Sequence, residues 1–245
     1  MKSVNVIDPE TDADDKVDSR PGESKAKMSD ISFLSKKAVL FDLDGVLLNS
    51  RPNMERAWKD VRDRVGVTVE FEDYFKNIGR PFRDILAILG LQDQAGEIEP
   101  VYSQSSKDNF NLATFYPYVV EALQKIQYQK IKLGIVTSKD RERTSIVLSR
   151  LPVKFSSVQT PNHNFRGKPA PDHLLAAMAE LNVDPKDSLY IGDAEVDAMA
   201  AQRAGVDYCH ANWGYGETKL EHVTFLNDIN SLLVFLEIEK SKVCR

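Results

Sequence analysis

From residue 38 onward, short apolar runs alternate with stretches of helical periodicity, and this alternation constrains the fold more than any other feature of the chain. Strands are predicted at 38–41, 133–136, 155–158, 188–191 and 207–210, with helices at 119–127, 141–148, 172–181 and 194–204 between them. A strand whose following helix returns the chain to start a neighbouring strand builds a parallel sheet. The pattern therefore predicts an α/β fold with a Rossmann-like parallel sheet core covered by helices. Within 172–181, Leu174, Leu175, Met178 and Leu181 recur at helical spacing and commit one face to the core. Pro171 precedes them, where a first turn tolerates proline.

One region breaks the alternation. Between Pro52 and about Phe115 only helical patterns occur, at 54–65, 71–76, 82–89 and 100–111, so a small all-helical cap is predicted as an insert after the first strand. Its joints fall near 50–52 and 113–118, where Pro52 and Pro117 punctuate the pattern. The predicted domains are a core of 36–51 and 116–245 and a cap of 52–115. Residues 1–35, rich in Asp, Glu, Lys and Ser, carry too little apolar surface to offset the entropy of ordering them and are predicted to be a disordered N-terminal extension.

Composition limits the partners. The 245 residues are 42% hydrophobic and 28% charged, ordinary for a globular protein with a sizeable core. A net charge of -5 gives no general attraction to nucleic acid or to anionic membrane, so an anionic ligand must be drawn by a local positive site. Cys209 and Cys244, the only two cysteines, offer neither metal-ligand spacing nor a disulfide framework, and Cys209 is expected to be buried in the last predicted strand. The N-terminal stretch lacks the apolar segment of an export leader, and no apolar run approaches ~18 residues. A cytoplasmic protein with neither a nucleic-acid nor a membrane partner is expected; its oligomeric state is left open.

Four stretches carry chemistry. In "AVLFDLDGVLLNS" the first strand ends at Asp42, and ligands of open α/β sheets bind beyond the carboxyl ends of the strands. Asp42 and Asp44 share a face where the chain stays extended. Two acids so close repel when both are ionised, so they need a cation nearby or one proton between them, a division that suits a nucleophile and a proton donor. A DxD after a strand can equally cap the next turn. "LGIVTSKD" puts Thr137 and Ser138 at another strand end, where hydroxyls and backbone N–H groups can hold phosphate oxygens or simply cap a helix. "RGKPAPD" holds Lys168 between Gly167 and Pro169, so that its ammonium is either aimed at a carboxylate or phosphate or left in solvent. "LYIGDAEVDAMAA" places Asp193 and Asp197 on one face across a helix start. With no His or Cys nearby, such carboxylates suit Mg²⁺ rather than zinc, with helix capping as the competing role.

Taken in order, "DLDGV", "TSK", "KPAPD" and "GDAEVD" resemble the four motifs of the haloacid dehalogenase-like hydrolase superfamily, over roughly residues 38–237. The helical insert resembles that superfamily's small cap, and "NWGYG" at 212–216 is similar to a loop of its phosphoglycolate phosphatase branch, which lies beside the β-phosphoglucomutase-like enzymes. The resemblance implies a Mg²⁺-dependent phosphatase acting on a small phosphomonoester, phosphoglycolate- or sugar-phosphate-like, through an aspartyl-phosphate. It implies Asp42 as nucleophile and Asp44 as general acid and base, with Lys168 orienting Asp42 and, together with Thr137 and Ser138, binding the phosphate. Mg²⁺ would be held by the Asp42 side chain, the Asp44 carbonyl and Asp193, with Asp197 supporting directly or through water. Dehalogenation is not expected, because the dehalogenases of the superfamily lack a carboxylate at the place of Asp44. A phosphomutase of the β-phosphoglucomutase type and a non-catalytic regulatory protein on the same fold are the alternatives.

Substrate choice is expected from the cap stretch "NIGRPFRDIL", where Gly79 permits a tight turn and Arg80 and Arg83 either meet an anionic substrate or lie solvated at a helix start. Lys139, His163 and Asn164 are further candidates from the core. "TPNHNFRGKPAPD" lacks the acidic pattern expected before the lysine of phosphoglycolate phosphatases. Trp58 and Trp213 are expected to pack rather than bind.

Overall fold

The computed structural model describes residues 36–221 and 223–238; the predicted extension at 1–35 and Cys244 lie outside the described residues. Strand β1 (Ala38–Phe41) lies in the middle of a six-stranded sheet. The elements that complete it are β4 (Lys132–Val136), β5 (Ser157–Gln159), β6 (Ser188–Gly192), β7 (Asp207–Ala211) and β8 (Thr224–Leu226). Their order is β5-β4-β1-β6-β7-β8, and every pairing is parallel. The expected strand 155–158 forms one to two residues later, and β8 was not expected: three residues are too few to show a period of two.

Successive residues of β1 point to opposite faces, and both faces are covered. Val39 and Phe41 join the core built with α5 (Val119–Tyr128), α6 (Arg141–Leu148) and α9 (Ile229–Phe235). Ala38 and Leu40 join the core built with α7 (Asp172–Leu181) and α8 (Glu195–Ala204). In α7, Leu174, Met178 and Leu181 are buried as the periodicity requires, whereas Leu175 turns outward and is 46% exposed. Cys209 is fully buried in β7.

The insert consists of α1 (Arg51–Val65), α2 (Phe71–Phe75), α3 (Phe82–Ile88) and α4 (Ala95–Asp108), which close on a core of their own. Trp58 packs there: its ring stacks on Tyr74 at 4.4 Å, and its indole N–H donates to the Val69 carbonyl. Helix α4 starts at Ala95, so Pro100 lies inside the helix and forgoes one intrahelical bond instead of marking a start. At the joints, β2 (Leu48–Asn49) and β3 (Thr114–Phe115) pair antiparallel, a short ribbon whose second strand falls within the region expected to lack strands. Among the described residues, no helix is long and apolar enough to cross a membrane.

Candidate active site

The ladder of β1 runs one residue past the strand, Asp42 N–H donating to the Ile191 carbonyl at 2.8 Å, and this carries Asp42 to the carboxyl edge of the sheet. The chain then turns sharply at Gly45, whose φ of 84° lies in the left-handed region. Gly45 has a second reason to lack a side chain: a Cβ there would stand 2.0 Å from Asp193 Oδ2. The turn brings Asp44 over the same edge.

Asp42, Asp193 and Asp197 are all buried, each offering an oxygen within 4.8 Å of the others. Among the described residues their one ammonium is Lys168, which donates to Asp42 Oδ1 at 2.6 Å and reaches Asp197 Oδ1 at 2.7 Å. Burial works against the charge of Lys168, but Asp197 and Asp42 outweigh it and hold its pKa above the usual lysine value. Burial pushes Asp42 up to about 7, with Lys168 pulling the other way, and carries Asp193 well above the usual carboxylate range, Asp197 adding to it. Three buried carboxylates against one lysine leave an excess of negative charge, which a divalent cation would offset.

The donor set discriminates among the three. Asp197 Oδ1 accepts from the Tyr190 hydroxyl at 2.8 Å as well as facing Lys168, and Asp197 Oδ2 accepts from the backbone N–H groups of Ala194 and Asp193. Both its oxygens are thus committed within the protein. Asp193 Oδ2 accepts from Tyr215 N–H at 2.7 Å. The second oxygens of Asp42 and Asp193 take no hydrogen bond among the described residues, and these all-oxygen donors fit Mg²⁺.

Asp44 stands apart from that cluster. Its Oδ2 lies 3.1 Å from the Lys139 ammonium, and its Oδ1 is buried without a hydrogen-bond partner among the described residues. Lys139 is itself buried, which lowers its pKa despite Asp44. Thr137 is buried at the end of β4 and its Oγ1 accepts from Lys139 N–H at 3.2 Å.

A cavity of about 40 Å³ faces Asp42, Asp44, Asp193, Thr137, Ser138 and Lys139 on the core side, with Arg80 among the cap residues that close it. At roughly 10–15 Å³ per water, this is room for a group of phosphoryl size. The cap is seated on the core: the Ser138 hydroxyl donates to the Gly79 carbonyl at 2.6 Å, and a Cβ on Gly167 would meet Pro81 at 2.2 Å. Ser138 therefore spends its hydroxyl proton on the cap, leaving its backbone for any phosphate.

Arg80 has no ion pair among the described residues, whereas Arg83 is not brought into this cavity: it forms a two-bond pair with Glu99, its side chain 76% exposed. His163 lies on an outer cavity of about 740 Å³ between cap and core, and Asn164 is exposed. Trp213 packs, its indole N–H donating to the Val46 carbonyl at 3.0 Å. Residues not singled out from the sequence include Tyr190, under Lys168, and Arg143, which lies 5.3 Å over the Tyr102 ring and donates to Ser106 Oγ of the cap. The spacing of Asp140 and Arg143 at a helix start was the available signal for Arg143; Asp140 is the N-cap of α6 and accepts from Arg143 N–H.

A parallel sheet with buried carboxylates at the ends of β1 and β6, under a helical cap, is the arrangement of a capped α/β hydrolase. The chain belongs to the haloacid dehalogenase-like hydrolase family, whose sequence profile it matches over residues 39–211. It is an enzyme of that family's phosphatase type. It is 30% identical to an N-acetylmuramic acid 6-phosphate phosphatase of Pseudomonas aeruginosa, over 73% of this chain and 83% of that one. It is 26% identical to pyrophosphatase PpaX of Oceanobacillus iheyensis, over 76% of this chain and 87% of the other. A hydrolase from Pseudomonas syringae superposes with a TM-score of 0.72 at 26% identity, covering 82% of this chain and 98% of that structure.

Proposed function

We propose that the protein is a Mg²⁺-dependent phosphatase that hydrolyses a small phosphomonoester through an aspartyl-phosphate on Asp42. The observation that carries this reading is the pair of unlike acids on one cavity. Asp42 is held on Lys168 with one oxygen left over, and Asp44 has a buried oxygen with no hydrogen-bond partner among the described residues. The first is equipped to attack phosphorus, the second to carry a proton.

In the first step a carboxylate oxygen of Asp42 bonds to phosphorus as the bond to the leaving oxygen breaks, and Asp44 gives its proton to the leaving oxygen. In the second, Asp44 takes a proton from the water that attacks phosphorus, the Asp42–phosphorus bond breaks, and inorganic phosphate leaves. Lys168 keeps Asp42 in place and offsets charge, while Thr137 and the backbone of Ser138 hold the phosphoryl oxygens. Asp42, Asp193 and the Asp44 carbonyl would hold Mg²⁺, which when bound supplies positive charge against the repulsion between carboxylate and phosphate. Asp197, with both oxygens committed, orients Lys168 and the Asp193 backbone rather than binding the ion directly.

The substrate class that fits is a sugar-phosphate- or phosphoglycolate-like monoester. The phosphoryl group fills the inner cavity, Arg80 reaches toward it from the cap, and the relative named as an N-acetylmuramic acid 6-phosphate phosphatase supports the sugar-phosphate end of that range. Phosphate release from a panel of small phosphomonoesters, by wild type and Asp42→Asn with Mg²⁺ or EDTA, tests the reading. Release that needs both Asp42 and Mg²⁺ supports it; release unchanged in Asp42→Asn sinks it. A requirement for a sugar bisphosphate activator would instead mark a mutase.

A further inference from the structure

The loop at 212–216 takes no part in the chemistry above, yet its tyrosine is bonded at both ends. The Tyr215 N–H donates to Asp193 Oδ2 at 2.7 Å, and the next N–H, of Gly216, donates to the Asp193 carbonyl at 3.1 Å. The contact admits only backbone: a Cβ on Gly214 would stand 2.2 Å from Asp193 Cβ, and one on Gly216 would stand 2.8 Å from the Asp193 carbonyl oxygen. The loop is fitted to Asp193 by its main chain.

The side chain of Tyr215 goes elsewhere. Its phenol oxygen accepts from the N–H groups of Ser50 at 2.6 Å and Arg51 at 3.1 Å, and its proton can go to the Leu48 carbonyl at 3.2 Å. One hydroxyl has two lone pairs and one proton, so these three bonds use it completely. Ser50 is the N-cap of α1 and makes no side-chain cap of its own, so the orphan N–H groups at the start of the cap's first helix are satisfied by a residue 165 positions later. The Tyr215 ring also lies 5.0 Å from the Phe75 ring of α2. On the same loop, Trp213 holds Val46 and meets Tyr116 of the return joint edge-on.

We propose that Tyr215 is a positioning residue that couples the orientation of the Asp193 carboxylate to the placement of the cap at its first joint. The span between the two anchors is a single residue, from backbone N–H to phenol, so a displacement at either end is felt at the other. Such a coupling is reciprocal: what orders Asp193 steadies the start of α1, and seating the cap steadies Asp193. The significance of the coupling for turnover rests on the reading of Asp193 as part of the catalytic centre.

Amide hydrogen exchange at Ser50 and Arg51 tests it in wild type, Tyr215→Phe, Asp193→Ala and the double variant. Tyr215→Phe keeps the N–H that binds Asp193 and removes only the phenol. It is expected to speed exchange at both amides at least about tenfold, the size expected when part-buried donors lose their acceptor. Asp193→Ala is expected to speed the same amides although it touches neither, and the double variant to be no faster than Tyr215→Phe alone. Exchange at Leu40 and Ile135 in the sheet reports global opening; if Asp193→Ala raises it, Asp193→Leu, which likewise offers the Tyr215 N–H no acceptor, replaces it under the same criteria. Ser50 and Arg51 exchange within about twofold of wild type in the Asp193 variant, or effects that multiply in the double variant, would overturn the proposal. In turnover, Tyr215→Phe is expected to raise KM about tenfold with little change in kcat, as when the closed state is less populated; a loss confined to kcat would overturn it too. The exchange cycle uses no turnover, so it stands or falls separately from Asp42→Asn.

Discussion

Lys168 Nζ lies 2.6 Å from Asp42 Oδ1 and 2.7 Å from Asp197 Oδ1, with both carboxylates buried, so one ammonium from the loop before α7 ties the end of β1 to the first turn of α8. Removing it leaves two buried carboxylates uncompensated. Lys168→Met is expected to cost about 3–5 kcal/mol of stability, the range for breaking a buried ion pair by deleting one partner. Urea unfolding of the cation-free protein measures this, and a change below about 1 kcal/mol would show that the pair contributes little.

The two acids should fail differently. Asp44→Asn removes proton transfer but leaves Asp42 on Lys168, so turnover is expected to fall roughly 10²–10⁴-fold. Asp42→Asn removes the covalent route and should fall further. A rapid quench in Asp44→Asn is expected to trap phosphate on Asp42 for substrates with good leaving groups, and mass spectrometry of the peptide carrying Asp42 reads it.

The raised carboxyl of Asp42 gives a pH dependence of known sign. Its value rises from 3.8 to about 7 on folding, burial being the main cause, so the cation-free folded state prefers the protonated acid. Stability from this group is complete below the unfolded value and is lost as pH climbs toward 7, at no more than about 1.4 kcal/mol per pH unit. Asp193 shifts in the same direction. In EDTA the urea midpoint of wild type should fall with pH between about 4 and 7, more steeply than that of Asp42→Asn. Above pH 7, added Mg²⁺ should raise the free energy of unfolding by about 2.7 kcal/mol at a hundred times its Kd, and the midpoint with it.

Gly167 lets the core approach the cap, since a Cβ there would meet Pro81 at 2.2 Å. Gly167→Ala is expected to hold the cap off its seat and lower kcat/KM at least about tenfold, of the order of 1–3 kcal/mol for overpacking a contact. The thermal midpoint should move little. A variant with wild-type kcat/KM would show that the seated cap is not the working state.

Periodicity and motif spacing by themselves determined the parallel core, the helical insert, and the placement of Asp42, Thr137 and Asp193 at strand ends. These depend on which residues follow which within a turn of helix or a length of strand, and the chain carries that locally. The ribbon of β2 and β3 and the strand β8 escaped because two or three residues define no period. Arg83, close to Arg80 in sequence, turned to Glu99 on the surface once α3 and α4 packed, while Lys139 was drawn to Asp44. That Asp197 serves Lys168 and Tyr190, that Ser138 gives its proton to Gly79, and that Tyr215 caps α1 from 165 residues away were decided by tertiary structure alone. A hydrogen bond is satisfied by whichever partner the fold brings within about 3 Å, and nothing in the local sequence names that partner.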